Sequence, residues 1–134
     1  MSRDIGTETV EDDITVVRVA GWLTVGSLVE ELDNKIKDLL DAHKTRIVLE
    51  TSGVKYIDST GLGCLVRSLT KTLMAGGNLV IAKPSQKSRE IFSTTRLHAI
   101  FPSFDSIEDA VAYLRKNPRW VEAEASERNS GDKP

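Results

Sequence analysis

Apolar and polar positions change period several times along the chain. Residues 14–20 (Ile-Thr-Val-Val-Arg-Val-Ala) are β-branched and partly alternating, which predicts a strand ending at Gly21. A short strand at residues 7–11, turned by Glu11-Asp12-Asp13, makes an antiparallel hairpin with it. The period then lengthens. Leu28, Val29, Leu32, Ile36, Leu39 and Leu40 recur at helical spacing, predicting a helix to about residue 42. Ser27 is placed to cap it, with Glu30 as capping-box partner, and the acids near its start suit the helix dipole. Thr45–Thr51 reads as a second strand punctuated by Ser52-Gly53. Val54–Ile57 then leads into Asp58-Ser59-Thr60-Gly61-Leu62-Gly63.

A helix follows over residues 60–74, its stripe formed by Leu62, Leu65, Val66, Leu69, Leu73 and Met74. Ala75-Gly76-Gly77 stops it. Asn78–Ala82 reads as a buried strand bounded by Lys83-Pro84. Residues 85–95 predict a shorter helix anchored by Ile91 and Phe92. Leu97, Ile100 and Phe101 pack the loop after it, and Phe104 opens a short strand or turn. Asp105 or Ser106 caps a last helix that buries Ile107, Ala110, Val111 and Leu114 and is ended by Pro118. From residue 117 the apolar period is lost, predicting a disordered polar tail in which Trp120 either docks on the body or stands exposed.

Strands alternating with helices imply an α/β fold, with parallel strands joined by right-handed crossovers. A length of 134 residues fits one domain, taken as 1–116 with a tail at 117–134. The net charge of −2, with Lys and Arg scattered, points away from nucleic acid and from anionic membranes. No stretch approaches ~18 consecutive apolar residues, so no membrane span is expected. Met1-Ser-Arg-Asp-Ile-Gly has no apolar core of a signal peptide. The single cysteine, Cys64, lies in a helical apolar pattern and reads as a buried hydrophobe, compatible with a reducing cytoplasm.

Catalytic chemistry finds little support. A serine nucleophile needs a base and an orienter, yet the only histidines are His43 and His98, and Gly-x-Ser-x-Gly is absent. An aspartic-protease motif needs Asp, Ser or Thr, then Gly in succession; here a residue intervenes. Neither histidine has a metal-ligand neighbour at the right spacing. Gly61-Leu62-Gly63 lacks the third glycine of a dinucleotide fingerprint, and no P-loop is present. What remains is Asp58-Ser59-Thr60 at a strand-to-helix junction. Any one of the three is a good N-cap, and one cap needs only one residue. The surplus hydroxyls fit a second use, as a phosphorylation switch beside free helix N–H groups.

The segments VLETSGVKYIDSTGLGCLV, GGNLVIAKPSQKSREIFSTTRLHAIF and FDSIEDAVAYL together resemble the STAS domain of anti-sigma factor antagonists, over residues ~8–116. The resemblance implies a small mixed sheet of four to five strands, with about four helices packed mainly on one face. It implies a cytoplasmic bacterial protein with no catalysis, no cofactor and no metal of its own. Its partner would be an anti-sigma factor, a GHKL-type serine kinase, bound by the unphosphorylated antagonist so that the sigma factor is freed. The kinase would phosphorylate Ser59, and a metal-dependent serine phosphatase would reverse this. Asp58 would stand beside the acceptor, Thr60 and Gly61 would shape the helix start, and Leu62 would join them in the partner surface. A weak homodimer is compatible with the resemblance. One departure stands out: the family's Gly-Glu-Leu/Ile-Asp loop is here Gly21-Trp22-Leu23-Thr24. Both acids are missing, which leaves Trp22 and Thr24 as partner contacts or Trp22 as a packed strand end. The departure keeps an alternative in view, a non-switching scaffold of a stressosome-like or lipid-transport complex.

Overall fold

The computed structural model describes residues 4–11 and 14–119. It opens with a hairpin in which β1 (Ile5–Glu11) runs antiparallel to β2 (Ile14–Leu23). Each later strand is reached through a helix. α1 (Ser27–Asp41) leads to β3 (Arg46–Ile57), and α2 (Ser59–Met74) to β4 (Asn78–Ala82). α3 (Gln86–Thr94) and a 3-10 turn at Leu97–Ala99 lead to β5 (Ser103–Phe104), after which comes α4 (Ile107–Lys116). The five strands lie in the order β1-β2-β3-β4-β5, with β2 to β5 parallel.

This order explains where the helices sit. Each crossover steps to the next strand in the same direction, so right-handed connections all fall on one face. α1, α2 and α3 share one core with Val17, Leu23, Ile47, Leu49 and Ile81. α4 alone covers the opposite face, burying Ala110, Val111 and Leu114 against Val16, Val48 and Val80. The mixed sheet with helices mainly on one face is therefore what forms. α4 is also tied down by charge. Arg115 pairs with Glu11, and this lowers the Glu11 carboxyl below its ordinary pKa.

Several local expectations are corrected. β2 does not stop at Gly21, and β3 does not break at Ser52-Gly53; both strands run on, to Leu23 and Ile57. The glycines mark irregularities within the pairing. Arg18 faces Glu50 but Ala20 faces Gly53, and Gly21 faces Val54 but Trp22 faces Tyr56, so β3 carries an extra residue at each of two places. Gly53 passes so close to β2 that a Cβ there would lie 2.8 Å from the Ala20 Cβ. Ser27 is not a cap. Gly26, at φ 144°, takes the N-cap position without a side-chain bond, so the Ser27–Glu30 capping box does not form.

Met74 is 83% exposed, although it was expected in the stripe of α2. The buried side of that helix passes instead through Ser68 and Thr72, whose hydroxyls donate to the Cys64 and Ser68 carbonyls at 2.9 and 2.7 Å. Ile100 is exposed and Phe101 takes the core position beside Phe92. The last helix is capped by Ser106, whose Oγ accepts from the Asp109 N–H at 3.0 Å. The Asp12-Asp13 turn, Trp120 and the rest of the polar tail lie outside the described residues.

Gly77 ends the α2 crossover under steric constraint, since a Cβ there would lie 1.8 Å from the Thr45 carbonyl oxygen. Gly77→Ala is expected to cost about 1–3 kcal/mol, seen as a lower urea midpoint. Gly63→Ala is the control. Its Cβ meets only Arg67 Nη1 at 3.6 Å, so the midpoint should hold or rise.

Candidate functional site

β2 and β3 end side by side, with Leu23 facing Ile57, and α2 begins two residues beyond Ile57. Asp58 is the residue that caps it. Its backbone is extended (φ −105°, ψ −172°), and its Oδ1 accepts from the Gly61 N–H at 2.9 Å. The Asp58 carbonyl accepts from the Leu62 N–H at 2.8 Å, and the Asp58 N–H donates to the Leu23 carbonyl at 3.3 Å. The side-chain cap is therefore made by Asp58 and uses neither hydroxyl. Ser59 and Thr60, the first two residues of α2, are both exposed.

Gly61 explains why the junction holds this shape. It is buried, and a Cβ at this position would lie 1.8 Å from the Leu23 carbonyl oxygen. Only glycine lets the first turn of α2 pass so close to the end of β2. Leu62, half-buried, packs against the larger core. A helix start of this kind leaves N–H groups directed outward and carries the positive end of the helix dipole. A hydroxyl there can take a phosphoryl group whose charge the helix end favours.

The sequence-predicted site residues thus gather in one place. Asp58, Ser59, Thr60, Gly61 and Leu62 form the start of α2, and Leu23 joins β2 to it. Trp22 is 63% exposed, so it is not a packed strand end, and Thr24 is half-buried. Tyr56, read in the sequence only as part of an apolar run into the motif, also stands exposed at this end. It lies opposite Trp22 in register, with ring centroids 5.2 Å apart and planes tilted by 39°. The extra residues in β3 set this pairing. A Ser-Gly step inside a strand pattern is the signal of such a bulge.

Cys64 lies further along α2, fully buried, with its thiol 3.4 Å from Asp33 Oδ1. Burial and the Asp33 charge push its pKa up to about 12, so the reactive thiolate is suppressed. Asp33 is itself held by Arg67 at 2.9 Å. His43 lies in the turn after α1, and His98 in the 3-10 turn with its Nδ1 3.2 Å from the Phe92 carbonyl oxygen. Among the described residues, no three of His, Cys, Asp and Glu gather as metal ligands. No helix among them is long and apolar enough to cross a membrane.

Comparison with known proteins gives a consistent picture. The STAS domain family model matches residues 7–110. A Thermotoga maritima protein named as a candidate anti-sigma factor antagonist is 30% identical over 79 residues, covering 59% of this chain and 70% of that protein. A crystal structure of a Thermotoga maritima protein similarly described aligns with a TM-score of 0.76 at 25% identity, over 84% of this chain and 96% of that one. The Bacillus cell-fate determinant SpoIIAA, solved in its phosphorylated form, aligns with a TM-score of 0.66 over 82% of this chain and 98% of its own. At 22% identity that last likeness is one of fold.

Gly61→Ala is expected to lower the urea midpoint by the equivalent of about 1–3 kcal/mol, whereas Ser59→Ala, at an exposed position, should leave it within about 0.5 kcal/mol. Equal effects would contradict the close approach at Leu23. Cys64 should resist iodoacetamide at pH 8 in the native protein and react fully in urea. The elevated thiol pKa also gives stability a sign: unfolding releases the Cys64 proton above about pH 9, so stability falls as pH rises from there towards 12. Cys64→Ala should flatten that part of the pH profile measured by urea unfolding.

Proposed function

The chain belongs to the STAS domain family, and we propose that within it the protein acts as an anti-sigma factor antagonist switched by phosphorylation of Ser59. In the unphosphorylated state it binds an anti-sigma factor of the GHKL-type serine kinase class and releases the sigma factor. Phosphorylation of Ser59 ends that binding, and a serine phosphatase restores it. The need for ATP and a sigma factor places the exchange in the cytoplasm. The protein is an acceptor and a binding partner in this cycle, not the catalyst. Ser59 Oγ bonds to the γ-phosphorus of ATP, the bond from that phosphorus to ADP breaks, and the hydroxyl proton passes to a base on the kinase.

The observation that carries this reading is the division of labour at the start of α2. Asp58 caps the helix, and Ser59 stands exposed at its first position. A phosphate on Ser59 adds roughly two negative charges without removing the cap. The helix end favours that charge, so the domain keeps its fold while a surface docked over the junction meets new bulk and charge. Asp58 is a positioning residue here. Its Oδ1 is engaged by the Gly61 N–H, which holds the turn that presents Ser59. Thr60, Leu62, Trp22 and Thr24 complete the surface that the partner covers, while Gly61, expected among the contacts, is buried and shapes the turn beneath them.

Incubation with the cognate kinase and ATP should place one phosphate on Ser59, mapped by mass spectrometry. Ser59→Asp should keep the wild-type circular dichroism and bind the kinase at least ~10-fold more weakly, about 1.4 kcal/mol. Phosphate on Thr60 alone, no phosphate, or unchanged affinity would contradict the assignment. Stable oligomers with no kinase dependence would identify a scaffold instead.

A further inference from the structure

Large apolar side chains are exposed at few places among the described residues. Val10, Met74 and Ile100 are separated along the fold, on β1, at the end of α2 and after the 3-10 turn. Trp22, Val25 and Tyr56 belong instead to one end of the molecule, where β2 and β3 finish. Trp22 is 63% and Tyr56 43% exposed, and the two rings lean on each other at 5.2 Å. Their neighbours Leu23 and Ile57 are buried in the main core. Both aromatic rings are therefore held at fixed positions by anchored backbone, at low entropic cost for a contact surface.

The surface continues into a groove. β4 pairs with β3 only through Glu50, so the last residues of β3 have no strand on that side, and α3 packs there. Between them lies a groove of about 230 Å³ lined by Tyr56, Ile57, Ile91 and Thr94, with Lys87 and Glu90 also on its wall. Lys87 and Glu90 approach to 3.7 Å and offset each other's charge. The platform is therefore aromatic, and the groove beside it has mixed apolar and polar walls whose two charges offset each other.

Resting on the partner-switching reading above, we propose that Trp22, Tyr56 and the groove beside α3 form an aromatic docking platform that selects the kinase by an uncharged, apolar contact. Two observations define the occupant. The platform is continuous with the acceptor site, because Ile57 lines the groove two residues before Ser59, and the Leu23 carbonyl next to Trp22 accepts the Asp58 N–H. A partner that covers Ser59 and extends over the ends of β2 and β3 reaches the rings. The two rings carry no charge and Lys87 and Glu90 in the groove wall offset each other, so a charged partner patch set on the rings would be desolvated without a counter-ion, whereas an apolar knob fits. Trp and Tyr are the side chains most often found to dominate such contacts.

The test is calorimetric titration of the cognate kinase with wild type, Trp22→Ala, Trp22→Phe, Tyr56→Ala and Thr7→Ala, at 50 and 500 mM NaCl, with thermal unfolding of each variant. Trp22→Ala and Tyr56→Ala should each weaken binding at least ~10-fold with unfolding temperatures unchanged, and Trp22→Phe should recover most of the loss. Thr7→Ala, on the far edge strand, should bind as wild type. Wild-type affinity should change less than ~3-fold between the two salts, because an apolar contact is not screened. Wild-type affinity retained by both alanine variants, or a strong salt dependence, overturns the platform while leaving Ser59 switching intact. A kinase that neither binds the wild-type chain nor phosphorylates Ser59 overturns the switching reading and the platform together.

Discussion

The Leu23 carbonyl oxygen is the point on which the site depends. It accepts the Asp58 N–H at 3.3 Å and lies where any Cβ on residue 61 would have to be. One atom at the end of β2 thus fixes both the cap and the first turn of α2. Glycine at 61 is required by that approach, and Asp58 at the cap then frees the two following hydroxyls. Ser59 stands exposed at the first position of α2, and its hydroxyl is not needed for the cap. The same atom links the strand carrying Trp22 to the helix carrying Ser59, so the two halves of the surface are held in one geometry.

The crossover pattern brings that junction into being. With three helices on one face, β3 can run from the core out to the end of the sheet and turn directly into α2. α4, returning on the other face, closes the second core. β3 outruns β4, and this leaves an edge at the junction that α3 only partly covers. The groove beside Tyr56 follows from that mismatch in strand length.

The element order, the Ala75-Gly76-Gly77 stop and the burial of Cys64 were legible from residue types and spacing, and the last cap was narrowed to Asp105 or Ser106, because each depends on local chemistry. The start of α2 was legible as a cap with surplus hydroxyls. Choosing Asp58 over Ser59 or Thr60 needed the backbone geometry. What was hidden depends on contacts between distant residues. Ser52-Gly53 looked like a break, yet β3 absorbs it as a bulge because β2 is there to pair with. Ser27 looked like a cap, but the turn at Gly26 occupies that position. Met74 fits an apolar stripe by spacing, while Ser68 and Thr72 take the buried side by bonding their own helix. The Trp22–Tyr56 pair depends on register across two strands, which no single stretch encodes.

The central claim is that charge at Ser59 alters a surface and not a fold. The most direct measurement is the amide NMR spectrum of the isotope-labelled protein before and after stoichiometric phosphorylation at Ser59. The account predicts shifts confined to residues near 22–24 and 57–63, with dispersion elsewhere unchanged. Loss of the α2 resonances, or shifts spreading into α4 and β1, would contradict it.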